Sequence, residues 1–308
     1  MKKHLITLAL LGASSLTALA DLDTAKIDQL TGLKGKMNQA EGVYKVTFPR
    51  DDVKVSVAGW QMPPFMGLGT WAAFQGTNDK AMMMGDTVLF EDEVNPVMSA
   101  AFDNGLSVTA LHNHFFFDEP KVYFMHIGGE GSAEKLAGAV KKVYDTIKMI
   151  RGPNAKPANT FGQQDIEKGP LPKKNSITPA PLNEIFAMQG DAKDGMVKFT
   201  IGKKSKMHGM EIGKEIGVNT WAAFAGADDN AIVDGDFAVT EDELQPALKT
   251  LRQAGINIVA IHSHMTHENP RILFLHYWGR GSANDLANAV KGALLVTGVS
   301  GVTTSASN

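Results

Sequence analysis

The chain repeats itself, and this repetition limits its fold more than any other feature of the sequence. The segment TWAAF at residues 70–74 recurs at residues 220–224, and residues 61–150 align with residues 211–300 without a gap. Of these 90 aligned positions, 31 are identical, whereas typical composition gives about 5–7% identity by chance. The sequence therefore predicts two homologous domains in tandem that arose by internal duplication.

The order of predicted elements within one repeat indicates an α+β domain. Strands that alternate with period two come first, followed by a helix with apolar residues at helical spacing, a hairpin and a second helix. This order is typical of an α+β fold rather than of a doubly wound sheet, and we expect the two domains to pack with pseudo-two-fold symmetry. The elements predicted for the first repeat are helices over residues 27–37, 91–104 and 132–147 and strands over residues 43–48, 53–59, 69–75, 82–89, 106–115 and 121–127.

Two segments lie outside the repeats. Residues 1–20 combine Lys2 and Lys3, an apolar run and the sequence Ala-Leu-Ala before residue 21, which predicts a secretory signal peptide and a periplasmic or secreted protein. Residues 151–181 hold six of the 13 prolines, a composition typical of a linker. The predicted domains are thus residues 21–150 and 182–308. No segment after residue 20 reaches the roughly 18 apolar residues of a membrane span.

Composition excludes several classes of function. The chain has no cysteine, which excludes disulfides, cysteine-ligated zinc and a thiol nucleophile. It has 30 basic and 33 acidic residues without a basic run, so we expect no nucleic-acid partner. The spacing of its glycines matches neither a P-loop nor a dinucleotide-binding motif, which argues against a nucleotide cofactor. The chemistry must come from histidine, carboxylate, hydroxyl or backbone groups.

Histidine provides the clearest candidate site. An H-x-H pair on a strand points both imidazoles to one face, about 6.5–7 Å apart, and a third histidine follows on the next strand. A hairpin centred on residue 119 would place His112 directly opposite His126. Three neutral imidazoles suit a divalent transition metal such as zinc, copper, nickel or iron. The two triples with identical spacing are His112, His114 and His126 in the first repeat and His262, His264 and His276 in the second.

Five further residues are candidate partners of these histidines. Asp86 and Asp236 occupy equivalent positions after a glycine, where each is either a partner that orients the imidazoles or a turn residue. Glu119 and Glu268 are candidate oxygen ligands from the hairpin turns, and His267 is either an extra donor in the second repeat or a solvated loop residue. Because Glu268 and His267 both belong to the second repeat and would enlarge its donor set, we expect the second site to bind metal more tightly.

A metal-free interpretation stays open beside the metal site. Simple alternation places the histidines of the first repeat on the same face as Leu106, Val108 and Ala110, so they could form a hydrogen-bonded polar layer at the edge of the core. The protein would then be a module that binds a small-molecule ligand or a partner without metal. Within the metal interpretation, a carrier and a metal-dependent enzyme are both open, and the oligomeric state is undetermined.

Several of these motifs resemble those of a known family. The segments 84–86, 91–96, 108–114 and 124–126, with their counterparts at 262–264 and 274–278, are similar to the LppY/LpqO family of exported bacterial proteins. The resemblance covers nearly all of the chain after residue 20. It implies export and the two-repeat layout, and it implies no activity because the function of that family is unknown. Some members are lipoproteins; without a cysteine, this chain is expected to be a soluble periplasmic form.

Overall fold

The computed structural model describes residues 22–152, 156–160 and 169–298. The predicted signal peptide and part of the predicted linker lie outside these residues. The first repeat consists of α1 (Thr24–Thr31), β1 (Lys36–Asn38), β2 (Val43–Pro49), β3 (Val55–Val57), β4 (Trp60–Met62), β5 (Gly69–Gly76), β6 (Ala81–Phe90), α2 (Glu91–Asp103), β7 (Ser107–His112), β8 (Asp118–Glu119), β9 (Val122–Gly131) and α3 (Ala133–Arg151).

The second repeat has the same order of elements. It consists of α4 (Pro179–Phe186), β10 (Asp191–Lys193), β11 (Met196–Gly202), β12 (Ser205–Met207), β13 (Met210–Ile212), β14 (Asn219–Ala227), β15 (Asn230–Thr240), α5 (Glu241–Gln253), β16 (Asn257–His262), β17 (Glu268–Asn269), β18 (Ile272–Gly281) and α6 (Ala283–Val296). A short 3₁₀ helix precedes β5 and another precedes β14. None of the described helices has both the length and the apolar character that crossing a membrane requires.

One antiparallel sheet of twelve strands runs through both repeats, in the order β1-β2-β5-β6-β9-β7-β16-β18-β15-β14-β11-β10. The strand order of one repeat is the mirror image of the other, and the two halves meet where β7 pairs with β16 at Leu111 and Ile261. A single hydrophobic core contains residues of both repeats. The α+β arrangement is thus observed, but the two repeats share one sheet and one core instead of forming separate globules.

The long sheet lies between two covering layers. The helices pack on one face, against residues such as Met83 and Met125. On the other face, the small sheet β4-β3-β8 covers a second apolar cluster in the first repeat, and β13-β12-β17 does the same in the second repeat. Phe124 and Phe274 belong to these smaller clusters, and their strands continue beyond the small sheets to the histidines.

A bulge in β7 decides which way the histidines point. The register of β7 against β9 shifts between Val108 and Ala110, and β16 has the same shift. Because a bulge adds one residue to the alternation, Val108 and Leu111 both face the helical core although they are three residues apart. The prediction that His112 shares the face of Val108 is therefore wrong: His112 lies on the face opposite the helices.

The hairpin that carries His112 and His126 is also centred differently from the prediction. His112 pairs with Phe124, and His126 pairs with Ala110, so the two histidines are diagonal neighbours instead of directly opposite. The cause lies in the turn, where the buried Asp118 carboxylate accepts a hydrogen bond of 2.7 Å from the amide of Val122. This contact centres the hairpin on residue 118, one residue earlier than expected.

The remaining differences lie at segment boundaries. The first helix ends at Thr31, because Gly32 takes a left-handed conformation with φ of 71°, and residues 36–38 form a strand instead of continuing the predicted helix. The predicted linker began at Arg151, but this residue ends α3 and its buried side chain pairs with acidic residues of α2. At the other end, Ile177 is buried in the core, ahead of the predicted start of the second domain.

Candidate metal centre

The second repeat brings three candidate ligands together. One ligand atom from each of Asp236, His262 and His264 lies within 4.8 Å of the other two. The Nε2 atoms of His262 and His264 are 3.0 Å apart, and Nε2 of His264 lies 3.4 Å from Oδ2 of Asp236. We call these three residues together with His276 the second cluster. Imidazole nitrogens and a carboxylate oxygen at this separation can bind one cation.

Adjacent strands position the members of the second cluster. Asp236 on β15 pairs with His276 on β18, and His262 is the last residue of β16. The ring of His276 stacks on that of His262 with centroids 4.9 Å apart, and its Nδ1 lies 3.3 Å from the carbonyl oxygen of Gly235. When Nδ1 donates to this carbonyl, Nε2 keeps the lone pair that binds a metal.

A phenylalanine orients the histidine that lies beyond the strand. His264 follows the end of β16 by two residues, and its ring stacks on Phe274 with centroids 3.4 Å apart and planes 9° apart. The first repeat has the same contact between His114 and Phe124, with centroids 3.4 Å apart and planes 4° apart. Each phenylalanine therefore holds the second histidine of its H-x-H pair in place although no strand continues there.

The first repeat has the equivalent residues on equivalent strands, but a different pair of its histidines is in close contact. Asp86 on β6 pairs with His126 on β9, and the Nε2 atoms of His126 and His112 are 3.1 Å apart. The rings of His112 and His114 are stacked, with centroids 5.2 Å apart. We call Asp86, His112, His114 and His126 the first cluster. Within the described part of the chain, three ligand atoms lie within 4.8 Å of one another in the second cluster, and the first cluster does not meet this criterion.

The aspartates of both clusters have an oxygen that the surrounding protein leaves unpaired. Oδ1 of Asp86 and Oδ1 of Asp236 are buried and have no hydrogen-bond partner among the described residues, and the same holds for Nδ1 of His262. A buried polar atom without a partner costs free energy. A cation bound by the carboxylate would compensate this cost, and imidazole with carboxylate is a donor set that suits zinc, copper or nickel.

Comparison with known proteins identifies a family. A family model described as Domain of Unknown Function (DUF1259) matches residues 25–146 and, a second time, residues 180–296. The chain belongs to this family. The two matches fall on the two repeats, as internal duplication predicts.

The other comparisons contribute no argument about function. No curated protein matches the sequence. A solved structure of a trimeric bacterial microcompartment shell protein, PduB, is 12% identical, and the match covers 85% of this chain and 89% of that one. Its TM-score of 0.19 is too low to support an inference about fold or assembly.

Burial favours the neutral form of one imidazole in each cluster. In this DUF1259 protein, burial, reinforced by the charges of His276 and His264, lowers the pKa of His262. Burial and the neighbouring His112 likewise lower the pKa of His114, against the opposing effect of Asp86. A histidine with a lowered pKa is uncharged at neutral pH, and only the uncharged ring offers a lone pair to a metal.

Burial acts in the opposite direction on the carboxylate of the second cluster. It raises the pKa of Asp236, although the nearby His276 and His264 partly oppose the shift. Asp236 is 3% exposed, so water stabilises its charged form poorly. A bound cation would stabilise the charge that burial disfavours.

Three of the predicted accessory residues lie elsewhere. Glu119 is exposed on β8, where it pairs with Ser56. The Glu268 carboxylate accepts a hydrogen bond of 3.1 Å from the amide of Ile272, the same turn contact that Asp118 makes in the first repeat. His267 packs against His208 of the small sheet, with ring centroids 6.0 Å apart. Their contacts therefore lie with the small sheets and the turns, outside the donor groups of the two clusters.

The aspartates were predicted only to support the histidines, and the phenylalanines were not predicted to belong to the site. The structure places the carboxylate of Asp236 beside the ring nitrogens of His262 and His264, and the same residue is the cross-strand neighbour of His276. The signal for the phenylalanines was present in the sequence as F-x-H in both repeats, at residues 124–126 and 274–276. Residues two apart on a strand share a face, so this spacing already placed Phe124 and Phe274 beside the histidines.

Proposed function

We propose that this protein binds a divalent transition metal, zinc, copper or nickel, at its two histidine clusters. The observation that supports this best is in the second cluster, where Asp236, His262 and His264 present ligand atoms within 4.8 Å of one another. The buried Oδ1 of Asp236, which has no hydrogen-bond partner among the described residues, adds a second reason. The mirrored strand order supports a pseudo-two-fold relation between the two sites.

We also propose that the protein acts outside the cytoplasm. The support is the sequence of residues 1–20, with two lysines, an apolar run and Ala-Leu-Ala, together with the resemblance to exported proteins of the LppY/LpqO family. An oxidising compartment suits a chain that has no cysteine to protect. Amino-terminal sequencing of protein released by osmotic shock tests this, with a start near Asp21 expected and an intact Met1 contradicting it.

Access to the second cluster suits an exchangeable metal. The side chain of His264 is 37% exposed, whereas that of Asp236 is 4% exposed, so a bound ion would face solvent on one side. With Asp236, His262 and His264 as its protein ligands, a four-coordinate ion would keep one further position, which His276, water or a substrate would fill. This property suits a metal carrier or a metal-dependent enzyme better than a closed structural site.

The metal-free alternative has a specific observation in its favour. The nitrogen separations of 3.1 Å between His112 and His126 and 3.0 Å between His262 and His264 also suit hydrogen bonds between neutral imidazoles. These bonds would make the histidines a structural polar layer. They would leave Oδ1 of both aspartates without a partner, which is why we favour the metal.

We expect the second cluster to bind more tightly, for a different reason from the one expected from the sequence. His267 packs against His208, and Glu268 is occupied in a turn contact with Ile272. The second cluster instead has the closer donor set, because His264 approaches both Asp236 and His262, so less rearrangement precedes binding.

Calorimetry with zinc, nickel and copper salts tests the proposal on the purified exported chain. The variant His262→Ala with His264→Ala should lose the tighter binding event and keep the weaker one. The variant His208→Ala with His267→Ala is the matched control, since it removes two neighbouring histidines of the same repeat and should bind as the parent does. Absence of binding for all three metals, or equal loss in both variants, would contradict the proposal and favour the polar layer.

A further inference from the structure

Two side-chain amides cross between the repeats and bind the strands that present the histidines. Asn95 of α2 accepts a hydrogen bond of 2.8 Å from the amide of Ile258 and donates one of 3.2 Å to its carbonyl. Gln245 of α5 accepts a hydrogen bond of 3.0 Å from the amide of Val108 and donates one of 2.7 Å to its carbonyl. We call these two contacts the amide bridges. The two bridges are equivalent in the two repeats: Gln245 lies 150 positions after Asn95, and Ile258 lies 150 positions after Val108.

The amide bridges complete a pairing that the sheet leaves unfinished. Strands β7 and β16 pair at Leu111 and Ile261, so the backbones of Val108 and Ile258 have no strand partner on that side among the described residues. A side-chain amide presents an N–H donor and a carbonyl acceptor side by side, as a strand residue does, and keeps one further N–H. Asn95 and Gln245 therefore act as a local substitute for a neighbouring strand, and Asn95 does so while 5% exposed.

The bridged residues are those at which the bulges begin. The register of β7 shifts after Val108, and that of β16 shifts after Ile258. Each bulge turns the following histidine, His112 or His262, onto the face where its cluster forms. A bulge leaves one residue outside the ladder, so it needs an additional contact to hold its geometry.

We propose that Asn95 and Gln245 are positioning residues for metal binding, each acting on the cluster of the opposite repeat. This inference rests on the proposed function. Gln245 of the second repeat holds the bulge before His112, and Asn95 of the first repeat holds the bulge before His262. Metal sites need ligands fixed within about 0.5 Å, and loss of such supporting contacts typically lowers metal affinity about 10–100-fold.

Crossed effects on the two clusters test the inference. In a background with His262→Ala and His264→Ala, calorimetry measures zinc binding by the first cluster alone. Adding Gln245→Ala should lower that affinity about 10–100-fold, whereas adding Asn95→Ala should leave it within about twofold of the background. In the background with His112→Ala and His114→Ala, the two substitutions should exchange their effects.

Two further variants separate positioning from general stability. Ser99→Ala removes another hydrogen bond between the repeats, donated by Nε of Arg252 over 3.2 Å, without touching β7 or β16, and should leave zinc affinity unchanged. Gln245→Asn keeps an amide of the kind that the first repeat uses and should restore most of the affinity. Equal weakening of both clusters by each amide substitution, or no weakening by either, would overturn the inference.

Failure of the proposed function gives a different result. If neither background binds zinc before any amide is changed, metal binding itself is refuted, and with it the role assigned to the bridges. Hydrogen exchange then still reports on the contact itself. In the metal-free parent, Gln245→Ala should accelerate exchange at residues 108–112 more than at residues 258–262, and a uniform acceleration would refute a local effect on the bulge.

Discussion

Replacing Glu93 by glutamine should destabilise the protein far more than replacing its counterpart Glu243. The Glu93 carboxylate accepts hydrogen bonds from Nη1 and Nη2 of Arg50 at 2.7 and 2.9 Å and from Nε of Arg151 at 2.8 Å. The side chains of Glu93 and Arg50 are 0% exposed, and that of Arg151 is 2% exposed. Glutamine keeps the shape but leaves two buried guanidinium groups facing a neutral amide.

The magnitude follows from what remains around the two arginines. Breaking a buried ion pair by removing one partner costs about 3–5 kcal/mol. Asp52 still pairs with Arg50 at 2.9 Å, and Asp92 still pairs with Arg151 at 2.5 Å, so the loss should lie at the lower end, about 3 kcal/mol. At roughly 2–4 °C for each kcal/mol in a chain of this size class, the melting temperature should fall by about 6–12 °C.

The second repeat provides the matched control. Glu243 pairs with Nζ of Lys203 at 2.5 Å, but these side chains are 21% and 15% exposed, so water can reach both groups when the pair is broken. We expect Glu243→Gln to cost about 1 kcal/mol. Urea denaturation followed by circular dichroism measures both losses. Equal losses for the two variants would refute the argument that burial of the two arginines determines the effect.

Three further predictions concern metal, packing and ring stacking. Zinc at about 100 times its dissociation constant should raise the free energy of unfolding by about 2.7 kcal/mol per site, and a thermal melt with excess chelator should abolish the gain; an unchanged melt contradicts metal binding. Gly235→Ala should lower the free energy of unfolding by about 1–3 kcal/mol, because its new Cβ would lie 2.2 Å from Tyr277. Gly138→Ala is the control: its Cβ would meet nothing within 4 Å, and it should raise the free energy of unfolding by up to about 1 kcal/mol. Urea denaturation of both variants checks the opposite signs. Phe274→Leu should weaken zinc binding in the second cluster alone, since the ring stacked on His264 is lost, and calorimetry that shows equal loss in both clusters would contradict this role.

Local patterns account for the features that the sequence predicted well. The sequence T-E-D-E at residues 240–243 has the pattern of a capping box, and Thr240 and Glu243 form one at the start of α5. Gly105 follows α2 with the left-handed φ of 78° that glycine commonly adopts after a helix. These features depend on residues a few positions apart, so they can be recognised without the fold. The two F-x-H segments are local patterns of the same kind and can likewise be recognised in the sequence without the fold.

The histidine clusters show where local patterns stop being sufficient. The spacing of the histidines predicts that the three of each repeat lie near one another. In the structure, the Nε2 atoms of His112 and His126 are indeed 3.1 Å apart. Simple alternation, however, assigned His112 to the wrong face, because it has no means of predicting a bulge. The hairpin centre was displaced for a similar reason, since it depends on the turn contact between Asp118 and Val122.

By itself, the sequence determined the duplication, the α+β class and the residues that could bind metal, because identity at a constant offset and local periodicity are properties of the chain alone. Only the tertiary structure decided that both repeats share one sheet and that Asp236 joins the histidines. It also decided which face the histidines occupy, because the bulge before His112 begins at Val108, whose amide donates to Gln245 across a separation of 137 residues in the chain. A contact of that separation depends on how the two repeats pack, which no local pattern encodes.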